Sequence, residues 1–404
     1  MALISAALYW PSQPVLADFL QLGPKLVGTG AVGAAAQGWS VALSGDGNTA
    51  IVGGFDDNSR LGAAWVFTRA GGVWSQQGAK LVGGGAVGSP NRGWSVALSG
   101  DGNTAIVGGP GDNNGTGAVW VFTRAGGVWS QQGARLVGSG AVGNANQGWS
   151  VALSGDGNTA IVGGQDDNNG GGAAWVFTRA GGVWSQQGAK LVGTGAVGNA
   201  NQGWSVALSG DGNTAIVGGL YDNSEIGAAW VFTRRGGVWS QQGAKLVGTG
   251  AVGNANQGSS VALSGDGNTT IVGGVFDNSQ VGAAWVFTRA GGVWSQQGTK
   301  LVGAGAVGSP NQGWSVALSC DGSTAIVGGL YDNSEVGAAW VFTRRDGVWS
   351  QQGAKLVGTG AVGNANQGWS VALSGDGNTA IVGGQDDNKG AGAAWVFTGR
   401  GGGV

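Results

Sequence analysis

Residues 38–54 read Gly-Trp-Ser-Val-Ala-Leu-Ser-Gly-Asp-Gly-Asn-Thr-Ala-Ile-Val-Gly-Gly. Trp39 to Ser44 alternates large apolar with small or polar residues, the period of a half-buried strand. Gly45-Asp46-Gly47-Asn48 follows, and Asp-Gly between two such runs signals a tight hairpin. Thr49 to Val52 is the returning strand. Downstream, Gly53 to Leu61 is a polar, variable loop, and Ala63 to Thr68 reads as a third strand. Ala70-Gly71-Gly72 turns the chain, and Val73 to Gln77 begins a fourth strand that runs towards Leu81. A glycine-rich link from Val82 to Gly93 leads to the next copy. No segment carries a sustained helical period.

The unit recurs every 55 residues. Leu-Val-Gly opens each copy at 26, 81, 136, 191, 246, 301 and 356, without insertion or deletion. Such a period means a solenoid, a propeller or an array. Four antiparallel strands repeated seven times predict an all-β fold, a seven-bladed β-propeller. An open solenoid is the rival. The chain ends separate the two, because the seventh unit stops after its third strand, Ala394 to Thr398. The missing strand aligns with Phe19-Leu20-Gln21-Leu22-Gly23-Pro24-Lys25-Leu26, which matches Trp74 to Leu81. An N-terminal strand that completes the last blade closes the ring and leaves few free edges. A solenoid needs distinct caps instead. Residues 18–404 are therefore expected to form one propeller domain.

Residues 1–17 precede the repeat. Ala2 to Trp10 is an apolar run, and Val15-Leu16-Ala17 offers a cleavage signal that would free Asp18. There is no positive n-region, so this leader reads as a truncated signal peptide or as a segment without a role. The implied setting is secreted, periplasmic or cell-surface. No run reaches transmembrane length, so membrane insertion is not expected.

Composition narrows the chemistry. The 404 residues include 90 Gly, 20 Trp, one Cys and no His. Without His there is no Ser/His or Cys/His catalytic pair, and Cys320 alone makes neither a disulfide nor a thiolate zinc site. A net charge of −2 removes a basic nucleic-acid stripe. The unit, with Gly-Ala-Ala-Trp-Val-Phe after it, resembles the FG-GAP repeat of integrin α-chain propellers and bacterial surface proteins. Gly38-Trp39 stands where that family carries Phe-Gly or Gly-Trp/Tyr, and Val52-Gly53-Gly54 where it carries Val-Gly-Ala-Pro; the resemblance spans 19 to 398. It implies a seven-bladed ring whose loops between strands two and three, and whose interblade links, form the partner-binding face. It also implies that the opposite hairpins often hold calcium. Here the hairpin Ser44 to Asn48 has one carboxylate, whereas calcium takes six to eight oxygens, so no cofactor is expected and calcium stays a weak alternative.

Two sets of residues are candidates for binding. One is the Trp at the start of strand one: Trp39, Trp94, Trp149, Trp204, Trp314 and Trp369, with Ser259 in the fifth copy. These either fill wedges between blades or border a binding face and stack on sugar rings. The other is the loop between strands two and three, where Asp-Asn recurs in all seven copies while the preceding residue varies. Asp57-Asn58, Asp167-Asn168, Asp222-Asn223, Asp277-Asn278, Asp332-Asn333 and Asp387-Asn388 either cap a turn or hydrogen-bond vicinal hydroxyls. Tyr221, Phe276 and Tyr331 would add an apolar platform. Asp56 and Asp57 are a weak alternative as metal ligands. The expectation is a non-catalytic monomeric binding module with repeated shallow sites for carbohydrate, or for cell-surface adhesion. A protein–protein scaffold is the alternative. The expected partner is a glycan or a surface protein.

Overall fold

A computed structural model of the chain describes residues 18–399, so the leader reading at 1–17 lies outside the described residues. Seven four-stranded antiparallel sheets form a ring. In the first blade the strands are Ser40–Leu43, Thr49–Gly54, Ala63–Ala70 and Val73–Gln76. The pairing is consecutive, with Val41 opposite Val52, Val52 opposite Trp65 and Thr68 opposite Ser75. The first strands of neighbouring blades touch one another, so they line the axis.

The ring closes as the chain ends require. Phe19–Gln21 pairs with Ala393–Gly399, Phe19 opposite Gly399 and Gln21 opposite Phe397. The borrowed strand reproduces the side-chain contacts of its equivalents. Gln21 accepts from the Thr359 amide as Gln76 does from Thr29, and Lys25 pairs with Asp387 as Lys80 does with Asp57.

The core lies between blades. In one wedge Ile51, Ala64 and Val66 of the first blade meet Val96, Val107, Trp120 and Phe122 of the second. Trp65 and its six equivalents are fully buried, and each indole N–H donates to a backbone carbonyl, Thr29 in the first blade at 2.8 Å. Burial with a satisfied N–H is what a core Trp requires. The recurring Leu-Val-Gly motif has its cause here: a Cβ on Gly28 would fall 2.1 Å from the Trp65 ring.

The hairpins form a second belt at the opposite end. The Gly45 amide donates to the Gly100 carbonyl, and the pattern continues through Gly155, Gly210, Gly265, Cys320 and Gly375 back to Gly45, each bond 2.8 Å. A Cβ at Gly45 would lie 3.0 Å from the Gly100 oxygen, which accounts for glycine in six of these seven places. Strand one therefore runs from the Trp end to this belt.

Candidate functional site

Trp39, Phe55 and the interblade links come together at the end of the propeller away from the hairpins. Strand one begins there, strand two ends there and strand three leaves from there.

The first-strand tryptophans form a fence around the axis. Trp369, Trp39, Trp94, Trp149 and Trp204 follow one another with ring centroids 4.5, 4.6, 4.7 and 5.0 Å apart, and Trp314 stands 5.0 Å from Trp369. All six are half-buried. They are not the interblade wedge; that is the role of the Trp65 set. They enclose a cup of about 390 Å³ on the axis. No charged residue lines it. The serines below the fence are spent on joining blades: Ser40 donates to the Gly93 carbonyl, whereas Ser205 accepts from the Val261 amide. The fifth blade breaks the symmetry. Ser259 puts no ring between Trp204 and Trp314, and Leu220, Tyr221, Val275 and Phe276 line the cup on that side.

Of the proposed platform, Tyr221 and Phe276 reach the cup, Tyr221 with its ring 6.2 Å from Trp204. Tyr331 is 41% exposed but does not line it. Phe55, Leu220 and Val275 were not among the sequence candidates. Phe55 packs 4.4 Å from Trp39 and 5.1 Å from Trp94. The signal for them was an apolar residue directly after the Gly-Gly that ends strand two.

The Asp-Asn loops are built differently from the ligand-binding expectation. Asp57, Asp167, Asp222, Asp277, Asp332 and Asp387 are at most 1% exposed. In each, one carboxylate oxygen accepts a backbone amide from the link 25 residues earlier, Val32 to Asp57 at 2.7 Å. The other pairs with a lysine at 2.5 Å: Lys80, Lys190, Lys245, Lys300, Lys355 and Lys25 in that order. A carboxylate so committed offers nothing to sugar hydroxyls at the surface, and an ammonium occupies the position a calcium would need beside Asp57. Asp56 sits apart, 3.7 Å from Arg60. Nor is the pair a simple cap of its own turn, since both partners are distant in sequence. Asn58, Asn168, Asn223, Asn278, Asn333 and Asn388 are exposed at left-handed turns, with φ between 50 and 52°. Asn tolerates that conformation better than most residues, and its place in the loop follows from backbone geometry.

The hairpin carboxylates are also internally satisfied. Asp46 accepts from the Ser44 hydroxyl, the Asn48 amide and the Asn48 side chain. Burial opposes its ionisation, yet these donors outweigh burial and hold the carboxyl below its ordinary value. The same holds at Asp101, Asp156, Asp211, Asp266, Asp321 and Asp376. At Asp166 and Asp386 burial pushes the carboxyl up.

Fold and site together define a seven-bladed β-propeller with an aromatic axial cup. A scan of protein-family models matches no family to this chain, and a search of curated proteins finds no match.

Proposed function

We propose that the protein is a non-catalytic binding module that takes a carbohydrate in the axial cup. The observation that carries this reading is the half-buried indole fence around a 390 Å³ space. Flat aromatic faces in a concave, uncharged site suit the apolar faces of a sugar ring, and the volume falls in the range of small-ligand pockets, about 300–1,000 Å³. The burial of the Asp carboxylates in the Asp-Asn loops shifts the proposal from repeated shallow sites to a single axial one. No catalytic role is assigned: the residues that line the cup include no carboxylate, amine, guanidinium or thiol and no nucleophile–base pair. The FG-GAP resemblance supports ligand binding or adhesion at the same end, on a secreted or surface protein.

The test is a glycan array read with and without calcium, followed by Trp149→Ala. Trp149 is half-buried and lines the cup, so its loss should abolish retention of the glycans that bind while the protein stays folded. A silent array under both conditions removes the carbohydrate reading, and a protein captured through the same face then favours a scaffold.

A further inference from the structure

A second cleft, of about 480 Å³, lies off the axis at blade three. Asp166, Asn169 and Gly170 line it from the loop after the second strand, Asn144 from the link before the blade, and Asn199 and Asn201 from the link after it. It shares no residue with the axial cup. The repeat does not reproduce this set. The place of Gly170 is taken by Arg60, Glu225, Gln280 and Glu335 in four blades. A side chain there enters the cleft, since a Cβ on Gly170 would lie 3.6 Å from Asn199 Cβ and from Asn201 Oδ1. Blade two keeps glycine at Gly115 but has Gly111 in place of the carboxylate. Blade seven has Asp386 and Gly390, but Ala34 and Ala36 stand where Asn199 and Asn201 do. Blade three alone combines the carboxylate, the glycine and asparagines on both sides.

The carboxylate in this cleft is uncompensated. Asp166 is half-buried, and its Oδ2 accepts from the Asn146 side chain at 2.7 Å. Among the described residues its Oδ1 has no hydrogen-bond partner, and no lysine or arginine pairs with it. Its neighbour Asp167 has Lys190, and its equivalent Asp56 has Arg60. We infer that the cleft is a second binding site, for a primary ammonium group carried by a small ligand. The ligand's cation does for Asp166 what Lys190 does for Asp167. An ammonium has three donors. Asp166 Oδ1 takes one, and the carboxamide oxygens of Asn144, Asn169 and Asn199, whose side chains bond no other described residue, are there for the rest. A guanidinium suits the site less, because its paired donors call for both carboxylate oxygens and Oδ2 is already engaged. Calcium takes six to eight oxygens and prefers several carboxylates, and here there is one. The loops at this end carry Asp56, Asp166, Glu225, Glu335 and Asp386 against Arg60 and Lys389, a field that draws cations.

The test is a titration of the ¹⁵N-labelled full chain, followed at the side-chain amide signals of the cleft asparagines, which Asn144→Ser and Asn199→Ser assign. The probes are glucosamine and N-α-acetyl-lysine amide, each beside the neutral compound acetylated on the same amine. At least one ammonium probe should saturate these signals, at least about tenfold more tightly than its acetylated counterpart. The probe that does so tells an amino sugar from a lysine side chain as the carrier. Asp166→Asn, which keeps the shape of the side chain, should weaken that binding at least about tenfold. Gly170→Gln should abolish it by filling the cleft; Gln280 holds the equivalent place in blade five at φ 72°, close to the 88° of Gly170. Neither variant should shift the indole signals of the cup. If Gly170→Gln does not fold, Asp166→Asn decides alone. Equal binding of the acetylated compounds, an unchanged affinity in Asp166→Asn, or no response to either ammonium overturns the proposal. Calcium chloride moving the same signals at a lower concentration than either probe also overturns it, in favour of a metal site.

Discussion

Replacing Lys190 with Met should destabilise the propeller more than removing both members of its ion pair. Asp167 is 1% exposed and Lys190 about 20%, with their charged atoms 2.5 Å apart. In Lys190→Met the carboxylate remains buried with one hydrogen bond, from the Val142 amide at 2.7 Å. Leaving a buried charge without its partner costs roughly 3–5 kcal/mol. Partial exposure of the lysine lets water approach, so the low end, about 3 kcal/mol, is expected. Asp167→Asn keeps an oxygen for Val142, and its lysine can turn to solvent, so its cost is about 1–2 kcal/mol. The double variant carries no buried charge. It should therefore be more stable than Lys190→Met alone by about 1–2 kcal/mol, although it has one more substitution. Urea unfolding followed by Trp emission and far-UV CD measures this, provided both probes coincide and the slope is unchanged. A double variant no more stable than Lys190→Met would refute the assignment of Asp167 as an internal, lysine-neutralised carboxylate. It would return the loop to the list of open ligand sites.

Three further outcomes follow from places where the repeat is imperfect or titratable. Arg92 is buried where other blades have Gln, and its Nε has no partner, whereas Gln37 bonds both the amide and the carbonyl of Gly28. Arg92→Gln should raise stability by about 0.5–2 kcal/mol, and a lower melting temperature would contradict this. The Trp74 indole N–H is buried without a partner, whereas Trp129 donates to Gln77 at 3.0 Å; the residue equivalent to Gln77 at the closing seam is Leu22. Leu22→Gln should stabilise by about 1 kcal/mol, read in the same urea experiment. The seven hairpin carboxyls lie below their ordinary value in the folded state. Their contribution is full above the unfolded carboxylate value, about pH 4, and is lost as pH falls through the folded values. Asp166 and Asp386 act in the opposite sense but are only two. The melting temperature should fall as pH drops below about 4, with Asp156→Asn giving a shallower fall; a flat profile there would contradict the hairpin account.

The architecture was legible in the sequence because every unit repeats the same local conflicts and solutions. The 55-residue period, the Asp-Gly hairpin and the strand alternation each report on short-range geometry, and the complementary ends specify closure through one alignment, Phe19 with Trp74. The Trp39 set was legible as candidate residues but not as a fence, since contact among six residues 55 apart depends on blade curvature. The Asp57 set was the harder case. Its partners, Val32 and Lys80, lie 25 residues before and 23 after, and no local pattern joins them. A signal was present: a Lys or Arg precedes the leucine of each Leu-Val-Gly, as at Lys80, Arg135 and Lys190, one cation for each Asp-Asn. In a chain with only 10% charged residues, such one-to-one matching marks an internal pair.

The central claim is that ligand sits against the axial indoles. The most direct measurement is the indole N–H region of a ¹H–¹⁵N spectrum during titration with a sugar that the array selects, with cup signals assigned by Trp94→Phe, Trp149→Phe and Trp204→Phe. The account predicts that the signals lost in those variants are the ones that move on binding, while the buried Trp65 set and the rim Trp74 set stay fixed. Saturable binding that leaves the cup indoles unmoved, or moves the rim set instead, would contradict it.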